Sequence, residues 1–231
     1  MCQVIVTCRS LIWTLITILT TLMLVVSVCS PYWLTGKPQH TGLSGKNYTI
    51  LKNQETFHPT VGIFNRCYRL HKYNRIYHRD SCDTYVTKFH MSNENFPNTW
   101  KAALFFFVCG VLAMIFTTAT SVISLCTRAL CSKSIFTLSG LIQSIAGLFC
   151  IIGLILYPAG WGTERVKKIC GDLASPYNID NCSLGWALYL NIVSICFIFI
   201  CSTLSIQANH SMNRQKVQED ILTGKSLICI A

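Results

Sequence analysis

Four stretches of this chain are apolar over lengths that a soluble core helix does not need. Leu11–Ser30, Ala102–Leu125, Ser134–Tyr157 and Leu184–Ile206 contain no Asp, Glu, Lys, Arg or His. Membrane hydrocarbon is about 30 Å thick and a helix rises about 1.5 Å per residue, so about 20 such residues cross it. Composition agrees, because only 12% of the 231 residues are charged and 52% are hydrophobic, whereas soluble domains carry about 25% charged residues. The expected fold is a membrane all-α four-helix bundle with a small extracellular antiparallel β-sheet, one tetraspan domain over residues 1–231. Its helices run over about 11–30, 102–125, 134–157 and 184–206, its extracellular loops over 31–100 and 158–183, and a cytoplasmic tail over 207–231. The first run reads as a retained helix. Its apolar core exceeds the roughly 7–15 residues of a signal peptide, and Pro31 stands where a cleaved chain would begin.

The formal charge of +10 does not mark a nucleic-acid binder. Nine of the nineteen basic residues lie between Pro31 and Trp100, interspersed with Glu55, Asp80, Asp83 and Glu94. That is a mildly basic folded loop rather than a basic tail. No nucleic-acid partner and no small-molecule substrate is expected. The partners implied are the lipid bilayer and another integral membrane protein. Orientation follows from Arg9, Arg128, Lys133, Arg214, Lys216 and Lys225 on one side of the spans. Only Arg165, Lys167 and Lys168 flank them in the short loop, and the long loop is too long to weigh in the positive-inside balance. Both termini are placed in the cytoplasm, and the protein at the plasma membrane.

The cysteines point the same way. Cys67 and Cys82 share the long loop, Cys170 and Cys182 the short one. Two pairs in two loops on one face read as disulfides of an oxidising compartment. Asn47-Tyr48-Thr49 is a glycosylation sequon on that face. Asn181-Cys182-Ser183 is a poorer one, with a cysteine in its middle and the bilayer close by. Asn209-His210-Ser211 falls on the cytoplasmic side. The short loop becomes a stapled cap: Tyr157, Trp161, Trp186 and Tyr189 are placed as interfacial aromatics, and Pro158, Gly160 and Gly185 as helix punctuation.

Within the long loop, "YWLTGK", "TVGIFNRCYRL", "RIYHR" and "DTYVTKF" read as strands separated by turn residues. His58, His71, His78 and His90 accompany the two cysteines. No Cys-x-x-Cys or His-x-x-x-His spacing appears among them, so solvated or packed histidines are expected rather than a metal site. No cofactor is expected.

Inside the spans, Gln143 and Asn191 are the only amides. They read as interhelical hydrogen-bond formers, the alternative being a polar pore or a partner contact. Gly140, Ser144 and Gly147 form a small-residue stripe that lets a helix approach closely, within the bundle or from a partner. Cys2, Cys8, Cys126, Cys131 and Cys229 are placed in or near the cytoplasm as reduced thiols or palmitoylation sites. Cys229-Ile230-Ala231 is one residue short of a prenylation box.

The segments "MCQVIVTCRS", "LYPAGWG", "CGDLASPYNIDNCSLGWA" and "KVQEDILTGKSLICIA" resemble the lipoma HMGIC fusion partner-like family. That family looks like part of the claudin and peripheral myelin protein superfamily. The superfamily signature of a Trp, then Gly-Leu-Trp, then two cysteines is matched by Trp33, Gly62-Ile63-Phe64, Cys67 and Cys82. Phe64 replaces the second Trp and the cysteine spacing is longer, which weighs against a tight-junction role. The resemblance implies a left-handed four-helix bundle carrying an extracellular sheet. It also implies non-catalytic companionship of other membrane proteins, as relatives assist ion-channel complexes and inhibitory receptors. An auxiliary or adaptor subunit is therefore expected, with a claudin-like contact or barrier protein as the alternative. Asn47→Gln should abolish the glycosidase-sensitive mobility shift of the protein expressed in cells; a shift that survives would move the modified site elsewhere.

Overall fold

The computed structural model describes residues 6–37, 58–70, 79–84, 96–126, 132–212 and 227–228. In chain order the elements are β1 (Val6–Thr7), α1 (Cys8–Cys29), β2 (Leu34–Thr35), β3 (Thr60–Val61), β4 (Asn65–Leu70) and β5 (Arg79–Thr84), followed by α2 (Asn98–Cys126), α3 (Ser132–Ala159), α4 (Glu164–Cys170), β6 (Ser183–Leu184), α5 (Trp186–Met212) and β7 (Leu227–Ile228). Helices α1, α2, α3 and α5 are each long and apolar enough to cross a membrane. They outrun the uncharged stretches at their ends, taking in Arg9, Lys101, Lys133 and His210. An apolar run measures the hydrocarbon, and a helix can continue past it into the headgroup layer.

The chain divides into two compact units, one of Met1–Ser27, Phe105–Gly153 and Leu190–Ala231, the other of Val28–Leu104 and Leu154–Tyr189. The first is helical, and its side chains are distributed the opposite way to those of a soluble bundle. On α1, Thr14, Thr17, Thr20, Thr21 and Ser27 are buried with Trp13 and Leu24, while Ile12, Leu15, Leu19, Leu22 and Val26 are exposed. Water would drive those leucines inward; lipid tails are as apolar as leucine, so packing and hydrogen bonding decide the interior. The buried hydroxyls bond their own helix, Thr14 Oγ1 donating to Ser10 O at 2.9 Å, Thr21 Oγ1 to Thr17 O at 2.8 Å and Thr117 Oγ1 to Met114 O at 2.9 Å. In the same unit β1 and β7 pair in parallel, Val6 opposite Leu227 and Thr7 opposite Ile228. Cys8, expected as a reduced thiol, is instead disulfide-bonded; the strand pairing next to it draws sequence-distant chain to this end of α1. Cys2, Cys131 and Cys229 lie outside the described residues.

The second unit is built on a five-stranded sheet in the order β5-β4-β3-β2-β6, antiparallel throughout. Register in its longest pair is marked three times. Arg66 stands opposite Asp83, Cys67 opposite Cys82 and Arg69 opposite Asp80. Opposite charges at facing positions favour one alignment, and a slip of one residue would set every side chain on the wrong face. The expected strand "RIYHR" lies outside the described residues except for Arg79, as does "DTYVTKF" after Thr84. The short loop is more than a cap. It holds α4 and supplies β6, whose Leu184 pairs with Leu34 and Ser183 with Thr35. Two-residue strands carry no alternation that could announce them.

Helix ends in this unit are closed by chain from elsewhere in it. The N–H of Gly185 donates to Trp33 O at 2.8 Å and that of Ala187 to Tyr32 O at 3.1 Å, so the backbone leading into β2 receives the start of α5. At the end of α3, Tyr157 O accepts from the Trp100 indole at 3.0 Å and from Gly160 N–H at 3.1 Å. Pro158 O accepts from Trp161 and Tyr177 N–H groups, both at 3.1 Å. These bonds satisfy carbonyls that the helix itself leaves open.

Gly185 is required by this arrangement, since a Cβ there would lie 2.0 Å from Tyr32 O. Gly185→Ala should destabilise the protein by about 1–3 kcal/mol, the usual cost of overpacking. The check is the apparent melting temperature of the purified full-length protein.

Candidate interaction surfaces and their supports

The disulfide sites come together as expected. Cys67 and Cys82 are joined across β4 and β5 with Cα atoms 4.1 Å apart, and Cys170 joins Cys182 with Cα atoms 4.9 Å apart. The second bond ties the last residue of α4 to the residue before β6. Asn47 lies outside the described residues, as do His71, His78 and His90. His58 Nδ1 lies 3.2 Å from Gly36 O. No group of three or more His, Cys, Asp or Glu assembles among the described residues.

The signature residues form the heart of the sheet unit. Trp33 is fully buried, its ring 5.0 Å from that of Tyr157, edge to face. Trp100 stacks on Tyr157 at 5.5 Å, and Trp161 meets Tyr157 edge-on at 6.0 Å. Tyr157 and Trp161, expected at the membrane surface, are therefore inside. A stacked neighbour and an indole-to-carbonyl bond outweigh an interfacial position that only one end of the ring could enjoy. Trp186 and Tyr189 are exposed. Gly62 begins the four-residue turn between β3 and β4, its N–H donating to Asn65 O at 2.8 Å. The turn is pressed onto the end of α1: a Gly62 Cβ would lie 2.7 Å from Ser30 O, and Asn65 Nδ2 donates to Cys29 O at 2.7 Å. Ile63 is the buried side chain of this turn, and Phe64 is half-buried.

The helical unit uses the small-residue stripe internally. A Cβ on Gly140 would lie 2.9 Å from Ser205 Oγ, and one on Gly147 2.9 Å from the Phe199 ring. Ser144 Oγ lies 2.7 Å from Ser202 Oγ, and Ser202 Oγ donates to Gly140 O at 2.9 Å. This face of α3 is thus filled by α5. Gln143 is fully buried, accepting from Trp13 Nε1 at 3.4 Å and donating to Thr17 Oγ1 at 3.2 Å. Asn191, also fully buried, donates to Ser27 Oγ at 3.0 Å. One amide thus links α1 to α3 and the other links α1 to α5.

What remains outward-facing is unevenly shared. Of the most apolar 18 residues of α2 only 28% is buried, against 44%, 39% and 39% for α1, α3 and α5. Phe105, Val108, Leu112, Ile115 and Phe116, with Val122 and Ile123 further along, are the exposed large apolar residues of α2. The sequence carries no sign of this difference, because all four runs are equally uncharged.

Four apolar helices, a disulfide-braced antiparallel sheet and an interior of hydroxyls and amides define a multi-pass membrane protein that resides in a lipid bilayer. The family model for the lipoma HMGIC fusion partner-like protein matches residues 9–209. The chain belongs to that family of tetraspan membrane proteins. It is 40% identical over 230 residues to the human LHFPL tetraspan subfamily member 2 protein and 39% identical over 230 residues to the Danio rerio member 2a protein, with all of each chain covered in both cases. The Danio rerio member 3 protein is more distant, 27% identical over 219 residues covering 93% of this chain and 88% of its own.

Cys170→Ser should cost about 3 kcal/mol, the chain-entropy value for so short a loop. Gln143→Leu should cost roughly 0.6–2 kcal/mol, as interhelical hydrogen bonds in membranes do. Melting of the two variants side by side in lipid nanodiscs checks both the order and the sizes.

Proposed function

We propose that this protein is a non-enzymatic auxiliary or adaptor subunit of another integral membrane protein at the plasma membrane. The positive-inside balance puts its termini in the cytoplasm and the Cys67–Cys82 and Cys170–Cys182 loops outside, with the Cys8 disulfide then on the reducing side. The uncharged runs at the middle of the spans contain no Asp, Glu, Lys, Arg or His, and such groups mark transport and proton-relay paths when they occur at membrane depth. Family membership adds a group of tetraspan proteins with no catalytic name among the relatives compared. The observation that carries the reading is the shallow burial of α2. With the Gly140–Gly147 face of α3 occupied by α5, the side left for a partner helix is Phe105, Val108, Leu112, Ile115 and Phe116. Bulky apolar side chains associate in lipid by shape and dispersion rather than hydrophobic drive, so a partner must be complementary to them.

Proximity labelling from the sheet side would identify the partner. Leu112→Ala together with Phe116→Ala should then reduce its co-purification, while Leu15→Ala with Leu19→Ala on the exposed face of α1 should not. Undiminished co-purification by the α2 variant would remove α2 as the docking face.

β5, the last strand of the sheet among the described residues, with Cys82, Asp83 and Thr84 exposed, favours a second reading as a claudin-like contact protein. Sheet edges pair readily with other chains. Enrichment at contacts between transfected non-adherent cells, against an even distribution around the cell, separates the two.

A further inference from the structure

The spans of this protein do not all end in the same way. Tyr32 follows the end of α1, and Trp186 and Tyr189 open α5; all three are exposed, with the Tyr32 and Trp186 rings 6.0 Å apart. Aromatics with a polar tip at a span end belong to the lipid–water interface. The end of α3 lacks such residues of its own, because Tyr157 and Trp161 are turned into the sheet unit. An aromatic is nevertheless present there. The Tyr177 hydroxyl donates to Ile155 O at 3.2 Å, and the Tyr177 N–H donates to Pro158 O at 3.1 Å. Ile155 is itself exposed on the outer side of α3, in line with Leu141, Leu148 and Ile152. Tyr177, 62% exposed, is thereby fixed at the depth where the lipid-facing side of α3 ends.

The loop that carries Tyr177 is built rigidly for this. Cys170–Cys182 closes it. Ser175 and Asn178 exchange backbone hydrogen bonds at 3.0 and 2.9 Å, and Asp180 N–H donates to Asn178 Oδ1 at 3.1 Å. Tyr177 and Asp180 hold φ values of 63° and 48°, and Gly171 one of 122°. Left-handed backbone at a tyrosine is strained and persists only where the surroundings over-determine it, as at functional positions. In the same closed loop Leu173 is 78% exposed, more than any other large apolar side chain described.

We propose that the Cys170–Cys182 loop is a lipid-interface anchor, with Tyr177 and Leu173 set into the headgroup layer bordering α3. Tyr177 stands in for the interfacial aromatic that α3 loses when Tyr157 turns inward. The strain at Tyr177 is the cost of folding a loop residue back onto a helix that has already ended. The inference needs only the membrane embedding of the chain and is independent of which partner it serves.

The test is photo-crosslinking of the full-length protein in cell membranes. Benzoylphenylalanine replaces Tyr177, Leu173 or, as a reference, the exposed Asp83 of β5 in separate variants. After irradiation, the peptides spanning 173 and 177 should gain the mass of a phospholipid, and the peptide spanning 83 should not. If position 177 and position 173 both crosslink to a polypeptide, the loop is a protein-docking surface and the proposal falls. It falls equally if neither yields more lipid adduct than position 83. Because Leu173 donates no hydrogen bond that its replacement would break, a local disturbance at Tyr177 leaves the Leu173 result decisive.

Discussion

Within hydrocarbon no water completes an unfinished hydrogen bond, and most of this structure answers that constraint. Each buried polar group must find its partner inside the protein, at a cost of several kcal/mol if it does not. Helices satisfy the backbone. The serines and threonines that fill the interior of the helical unit then bond back to carbonyls of their own helices. Gln143 and Asn191, which cannot be satisfied that way, reach across to α1, Gln143 through both amide atoms and Asn191 through its Nδ2 alone, its buried Oδ1 having no partner. Glycines at 110, 140, 147 and 153 let neighbouring side chains come close enough for dispersion to hold what the hydrophobic effect does not.

The same constraint explains the helix ends. A helix leaves its last four carbonyls open wherever it stops. At α3 the stop is reinforced by Pro158, which cannot donate to the turn behind it. Of the open carbonyls, Tyr157 O and Pro158 O are met by the Trp100 indole and the backbone N–H groups of Gly160, Trp161 and Tyr177. The aromatic cluster of Trp33, Trp100, Tyr157 and Trp161 thus does two things. It packs the sheet unit, and it brings the donor that the end of α3 requires.

How much of this could be read beforehand depended on whether a feature is local. A span of uncharged residues is a local property with one physical meaning, and the four spans were legible to within a few residues. Cysteines paired within one loop were legible for the same reason, as was the sheet around Cys67. The inward turn of Tyr157 and Trp161 was not, since an aromatic at a span end looks alike whether it faces lipid or a tryptophan. The disulfide at Cys8 was missed because cysteines on that side of the spans were expected to be reduced. The small-residue stripe on α3 was legible as a packing face, but α5 as its occupant is decided by tertiary fit. The shallow burial of α2 has no local signature at all.

The pairing of β2 with β6 carries a consequence for biogenesis. Leu34 meets Leu184, so the first strand of the five-stranded sheet in chain order waits for 150 residues of chain, 184 − 34, before its second neighbour exists. At ribosomal speeds of about 5–20 residues per second that wait is on the order of ten seconds. Until then the nascent sheet has a bare edge, and by the end of the wait three of the four long apolar helices have been made. A chain arrested before β6 would keep that edge, giving quality control a backbone surface by which to recognise an unfinished molecule.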